Sequence, residues 1–146
     1  TELLPMSPPA QARHDLADTA GLKLLVVEDT FLVADTIAAI LRDRGCEVVG
    51  PVARLTKAIE LAQGAALDGA ILDVNLAGSL VFPAAAALRA RGVPFFFLTG
   101  YEDSTLFPAE FRSVPRLAKP FEDAALERLV AQVLLPPARE ASRPKG

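Results

Sequence analysis

Val93-Pro94-Phe95-Phe96-Phe97-Leu98-Thr99-Gly100-Tyr101, VPFFFLTGY, sets three of the chain's eight phenylalanines side by side, then turns to a hydroxyl, a glycine and a phenol. A short, unbroken apolar run bounded by turn residues reads as a strand buried on both faces, as in parallel sheets. A strand that merely ends in a turn accounts for Phe95 to Leu98. The abrupt change at Thr99 needs the rest of the chain to explain it.

At 146 residues the chain is one domain's worth, long enough to bury a real core. It is 51% hydrophobic, with a mean hydropathy of +0.32, yet no apolar run approaches the roughly 20 residues that span a bilayer. The apolar excess is therefore expected inside, and no membrane partner is expected. The first residues lack the basic start and apolar core of a signal peptide, so the cytoplasm is the expected compartment. A formal charge of −3 and a pI near 5.2 argue against direct nucleic-acid binding, which needs a basic excess. One cysteine excludes an internal disulfide and a cysteine metal cluster; Cys46 reads as an inert small hydrophobe.

Residues 1–21 are rich in Pro and Ala without periodicity and read as a tail, with Met6 as the expected natural start and His14 solvated. Leu22–Val27 reads as a strand, Thr30–Arg44 as a helix closed by Gly45, and Val48–Val52 as a weaker strand. Leu55–Gln63 reads as a helix, Ala70–Val74 as a strand, and Val81–Arg91 as an Ala-rich helix with Pro83 in its first turn. After VPFFFLTGY comes a short strand over Val114–Ala118. In the helix predicted over Phe121–Leu134, Leu126, Leu129, Val130, Val133 and Leu134 form one stripe. Residues 136–146 read as a second tail, leaving 22–135 as the domain. The weak element lies between Gly100 and Val114, where Pro108 interrupts a sparse pattern. A short helix from Pro108 and a mobile loop both fit, and Tyr101 through Arg112 is expected to be the mobile part.

Strands alternating with helices imply an α/β fold, an open doubly wound (βα)5 parallel sheet. Such sheets bind ligands beyond the carboxyl ends of their strands. Those ends carry Glu28-Asp29, Asp73, Thr99 and Lys119-Pro120, about ninety positions apart in sequence but on one edge of the sheet. Singly each has a plain reading, as a helix cap, a turn hydroxyl or a surface lysine. Together they suit phosphoryl transfer to a carboxylate. Crowded acids need a cation, and an all-oxygen site suits Mg²⁺. A carboxylate can attack phosphorus, with a lysine and hydroxyl or amide donors neutralising the oxygens. Asp73, ending the central strand, is the expected nucleophile. No P-loop motif is present.

This ordered set resembles the receiver domain of two-component response regulators, over about residues 22–135. The resemblance implies a flavodoxin-like strand order 2-1-3-4-5. It also implies a phosphoryl group taken by Asp73 from a histidine kinase or histidine phosphotransfer protein. Mg²⁺ or Mn²⁺ would be held by Glu28, Asp29, Asp73 and the Asn75 backbone carbonyl. Thr99, Gly100 and Lys119 would bind the phosphoryl group, and the Lys119–Pro120 bond would be cis. Receivers usually carry an aromatic residue three positions before the lysine; here it is Arg116. The run from Pro94 to Tyr101 is similar instead to the FAT GUY subgroup, pattern P-F-x-F-A-T-G-Y, with Leu98 in place of Ala. That subgroup comprises mostly single-domain receivers served by HWE and HisKA-2 kinases, and it makes Thr99 and Tyr101 the expected switch pair. Leu76-Ala77-Gly78-Ser79 replaces the usual loop after the phosphoacceptor.

A stand-alone receiver acting by protein contact, without enzymatic turnover, is therefore expected. The receiver part of a longer regulator is the alternative, with Pro136-Pro137 opening a linker. An aspartyl-phosphate phosphohydrolase would need an acid where Asn75 stands. A flavodoxin-like cofactor binder would need a phosphate loop where Glu28 and Asp29 stand. Arg112 and Arg116 are open as partner contacts, and Glu102 and Asp103 as solvated residues or caps.

Overall fold

A computed structural model describes residues 19–135. The expectations for 1–18 and 136–146, among them His14, Met6 and most of the two tails, lie outside the described residues.

The chain alternates β1 (Lys23–Val27), α1 (Phe31–Asp43), β2 (Glu47–Val52), α2 (Leu55–Gly64) and β3 (Gly69–Asp73). A hairpin of β4 (Asn75–Leu76) and β5 (Ser79–Leu80) follows, then α3 (Phe82–Ala90), β6 (Phe95–Thr99), β7 (Arg116–Ala118) and α4 (Asp123–Leu129). The five main strands form one parallel sheet in the order β2-β1-β3-β6-β7, the expected flavodoxin-like arrangement.

The three phenylalanines divide between two cores because strand side chains alternate faces. Phe95 and Phe97 join Leu25, Val27 and Leu72 beneath α2 and α3. Phe96 and Leu98 join Leu24, Val26 and Ile71 beneath α1 and α4. Each such side chain contributes about 1.5–3 kcal/mol through burial, which is why the run must be apolar throughout.

Four features depart from the sequence reading. The ordered fold begins before Leu22: Thr19 is buried, its Oγ1 donates to the Arg44 carbonyl at 3.1 Å, and Gly21 N–H donates to the Gly45 carbonyl at 2.8 Å. β2 contains a bulge, where the register with β1 jumps from Leu25–Val49 to Val27–Val52. Gly50, at φ +96°, and cis Pro51 make that jump. The last helix keeps Leu126, Val130 and Leu134 fully buried, at spacings of four, while Leu129 and Val133 are half-buried. It widens into a π-helical turn over Val130–Leu134, which suits that spacing.

The fourth departure matters most for the site. Among the described residues no α-helix joins β6 to β7; two 3₁₀ turns, Asp103–Leu106 and Ala109–Phe111, stand there. Pro108, lacking an N–H, interrupts any longer helix. Phe107 and Phe111 are buried against Phe82 and Phe97, with ring centroids 5.2–5.9 Å apart. Arg116 lies 3.8 Å from the Phe107 ring centroid and donates to the Arg112 carbonyl at 2.9 Å. Arg89 covers Phe111 from 4.7 Å. Within the stretch expected to be mobile, Tyr101 to Arg112, Phe107 and Phe111 are anchored in the core, while Tyr101–Leu106 and the residues between and after the two anchors lie largely exposed.

Candidate functional site

Parallel pairing aligns the strand ends, and the register places the site's residues. Asp73 pairs with Leu98, so Thr99 and Gly100 run one and two residues past it along the same edge. The Thr99 carbonyl accepts the Lys119 N–H at 2.8 Å, drawing the lysine to the end of β6; the bond to Pro120 is cis. On the other side Glu28 N–H donates to the Val52 carbonyl at 2.9 Å, beyond the β2 bulge. Three elements remote in sequence are thereby brought within reach of one another.

Glu28 and Asp73 are 2% and 1% exposed. The Lys119 ammonium stands 3.2 Å from Glu28 Oε1 and 3.3 Å from Asp73 Oδ1, shared between the two. The Thr30 N–H donates to Glu28 Oε2 at 2.9 Å. Glu28, Asp29 and Asp73 each offer an oxygen within 4.8 Å of the others. Among the described residues no donor reaches Asp73 Oδ2. Burial first, then the charge of Glu28, pushes the Asp73 carboxyl up to about 7 against the opposing pull of Lys119. Burial works to lower Lys119, but the two carboxylates outweigh it and the ammonium's pKa is raised.

Three acids against one ammonium leave excess negative charge, an orphaned buried oxygen and hard oxygen ligands on converging elements. That donor set fits Mg²⁺, which takes one or two carboxylates and keeps several waters. A cavity of about 430 Å³ opens beside the acids, lined by Glu28, Asp29, Phe31, Asp35 and Arg42.

Thr99 is buried at the end of β6, while Tyr101 is 96% exposed and stands away from the core. Arg116, where receivers usually carry an aromatic residue, lies half-buried over Phe107. The β4–β5 hairpin was not legible beforehand. It turns through Ala77 at φ +53° and Gly78 at φ +100°, and Asn75 Oδ1 accepts the Gly78 N–H at 2.7 Å. Asp103, left open as a cap or solvated residue, accepts the Gly100 N–H on Oδ2 at 2.6 Å.

The doubly wound sheet with an acidic pocket at the carboxyl ends of its strands is the architecture of a receiver domain, and comparison with known proteins agrees. Residues 24–131 match the response regulator receiver domain family, and the chain belongs to it. It is 30% identical over 127 residues to the Phyllosphere-induced regulator PhyR of Methylorubrum extorquens, covering 85% of this chain and 48% of that protein. The chain thus spans about half the length of this curated relative. Among solved structures it resembles SdrG from Sphingomonas melonis Fr1, at 36% identity and a TM-score of 0.68, covering 77% of this chain and 96% of that one. It also resembles the receiver domain of sensor histidine kinase PA1611 from Pseudomonas aeruginosa PAO1. That match has 29% identity and a TM-score of 0.67, and it covers 79% and 98% of the two chains. The latter carries a magnesium ion coordinated in its active-site cleft. Among the described residues, no helix is long and apolar enough to cross a membrane.

Proposed function

We propose that this receiver takes a phosphoryl group onto Asp73 from a phosphohistidine of a partner protein. The observation carrying the reading is the shared Lys119 ammonium between Glu28 and Asp73, with the second Asp73 oxygen left without a donor among the described residues. In the transfer an Asp73 oxygen forms a bond to phosphorus while the phosphorus–nitrogen bond to the imidazole breaks. The bonding pair stays on that nitrogen, which takes a proton from solvent. Glu28, Asp29, Asp73 and the Asn75 carbonyl would hold Mg²⁺ (or Mn²⁺), which would supply positive charge against the acids and the incoming phosphoryl group. Lys119, the Thr99 hydroxyl and the Gly100 N–H supply the remaining positive and hydrogen-bonding contacts.

The donor approaches past an apolar rim. Phe31 and Leu32, at the start of α1, are 76% and 73% exposed beside the acids. Leu32 continues into a groove of about 210 Å³ with Val33, Lys119, Pro120 and Phe121. Exposed bulk next to buried charge suits protein docking. The FAT GUY-like run favours an HWE or HisKA-2 kinase, or a phosphotransfer protein, as donor. Output is by protein contact, with Thr99 and Tyr101 as the moving pair. A second reading, the receiver part of a longer regulator, is favoured by the 48% coverage of PhyR.

Beryllofluoride with Mg²⁺ provides the test. Amide shifts should move at Glu28, Asp73, Thr99, Gly100 and Lys119 in the wild type and stay still in Asp73→Asn. Equal responses in both proteins would show the nucleophile to be misassigned.

A further inference from the structure

Gly100, whose N–H the proposed reaction uses, is not free in this structure. The Asp103 carboxylate accepts that N–H at 2.6 Å, and the Asp103 N–H returns to the Gly100 carbonyl at 3.3 Å. The pair closes a single turn at the very end of β6. A Cβ built on Gly100 would lie 3.3 Å from the same Asp103 oxygen, so the carboxylate is seated tightly against the backbone. Asp103 then opens the exposed 3₁₀ turn Asp103–Leu106, while the next residue, Phe107, is locked into the core. The segment is thus hinged between two fixed points, Thr99 and Phe107. Its first contact with the sheet is an anion on a donor.

We propose that Asp103 is a positioning residue that occupies the Gly100 N–H in the unphosphorylated protein and must yield it to a phosphoryl oxygen on Asp73. The inference rests on the reading of Asp73 as phosphoacceptor. Two anions cannot share one N–H. A dianionic phosphoryl group beside Gly100 also repels the carboxylate it displaces. Losing its anchor, the turn Asp103–Leu106 is released with Tyr101 and Leu106, already the exposed apolar bulk of this segment. Asp103 thus opposes phosphorylation and couples it to exposure of that turn. As a mere cap, Asp103 would instead preform the site and favour anion binding.

Beryllofluoride titrations in Mg²⁺, read by amide shifts, separate these roles. Asp103→Asn and Asp103→Ala should bind about tenfold more tightly than wild type, the lower range for removing a charge-assisted hydrogen bond. Glu102→Gln, which removes a neighbouring charge without touching Gly100, should change affinity by no more than about twofold. In the wild type, saturation should shift the Asp103 side-chain carboxyl carbon together with the Gly100 amide. Unchanged or weaker binding by both Asp103 variants, with an intact Asp73-dependent wild-type response, would overturn the role of Asp103 alone. So would a stationary Asp103 carboxyl signal at saturation. A wild type whose response does not depend on Asp73 would overturn both the phosphoacceptor reading and this one.

Discussion

Replacing Asp73 by Asn should stabilise the metal-free protein, by a margin that grows with pH. Asp73 is 1% exposed beside the buried Glu28, and its carboxyl is raised from 3.8 to about 7 in the folded protein. A carboxyl raised on folding contributes stability that is present below its unfolded value and is lost as pH climbs to the folded value. Asn has the same shape without the titration, and it leaves Lys119 paired with Glu28. Between pH 5 and pH 7 the gap between variant and wild type should widen by about 1.4 kcal/mol per unit, roughly 3 kcal/mol in all, then level off. Urea unfolding followed by far-ultraviolet circular dichroism, in EDTA at pH 5, 6, 7 and 8, measures it. Added Mg²⁺ should narrow the gap by stabilising the wild type more, by up to about 2.7 kcal/mol at a hundredfold excess over its dissociation constant. A gap that stays flat across this pH range would refute the reasoning, as would a variant less stable than wild type at pH 8 in EDTA.

Arg116→Ala should lower stability by about 1–2 kcal/mol, through loss of the stacked cation over Phe107, and Arg116→Lys should recover only part of it; amide exchange should quicken most around Phe107–Arg112. Gly50→Ala should destabilise by about 2 kcal/mol or more. Its φ is +96° and a Cβ would meet the Val52 nitrogen at 2.8 Å, a strain visible as a lowered thermal midpoint. Phe31→Ser with Leu32→Ser should leave stability within about 0.5 kcal/mol and acetyl phosphate labelling unchanged, because both side chains are exposed. Phosphotransfer from a cognate donor should fall about tenfold or more, and an unchanged rate would remove this rim from the docking surface.

The order of elements was legible because burial on both faces leaves a plain mark. Leu24–Val27, Ala70–Leu72 and Phe95–Leu98 have nowhere to place a polar side chain, and the glycines at 45, 64 and 92 end or follow the helices. The site was legible for a related reason. Carboxyl ends of parallel strands must share an edge, so Glu28-Asp29, Asp73, Thr99 and Lys119 converge whatever the helices do. What stayed hidden depends on contacts between side chains distant in sequence, or on backbone states with weak residue signals. Sparse apolar positions between Gly100 and Val114 did not show that Phe107 and Phe111 would seat against Phe82, or that Arg116 would cover Phe107. Ala77, in the left-handed region at φ +53°, is an unusual choice for a hairpin turn.

By itself, then, the amino-acid order determined a five-stranded parallel sheet and the cast of its acidic edge, because periodicity and strand-end chemistry are local properties. Tertiary structure alone decided which donors those residues meet. Lys119 is shared by Glu28 and Asp73, one Asp73 oxygen is left without a donor among the described residues, and Gly100 is held by Asp103. Such pairings are settled at the scale of a hydrogen bond, by register, a bulge at Gly50 and a turn at Asp103. A shift of one residue in any of them would leave the same composition at the sheet edge with a different chemistry.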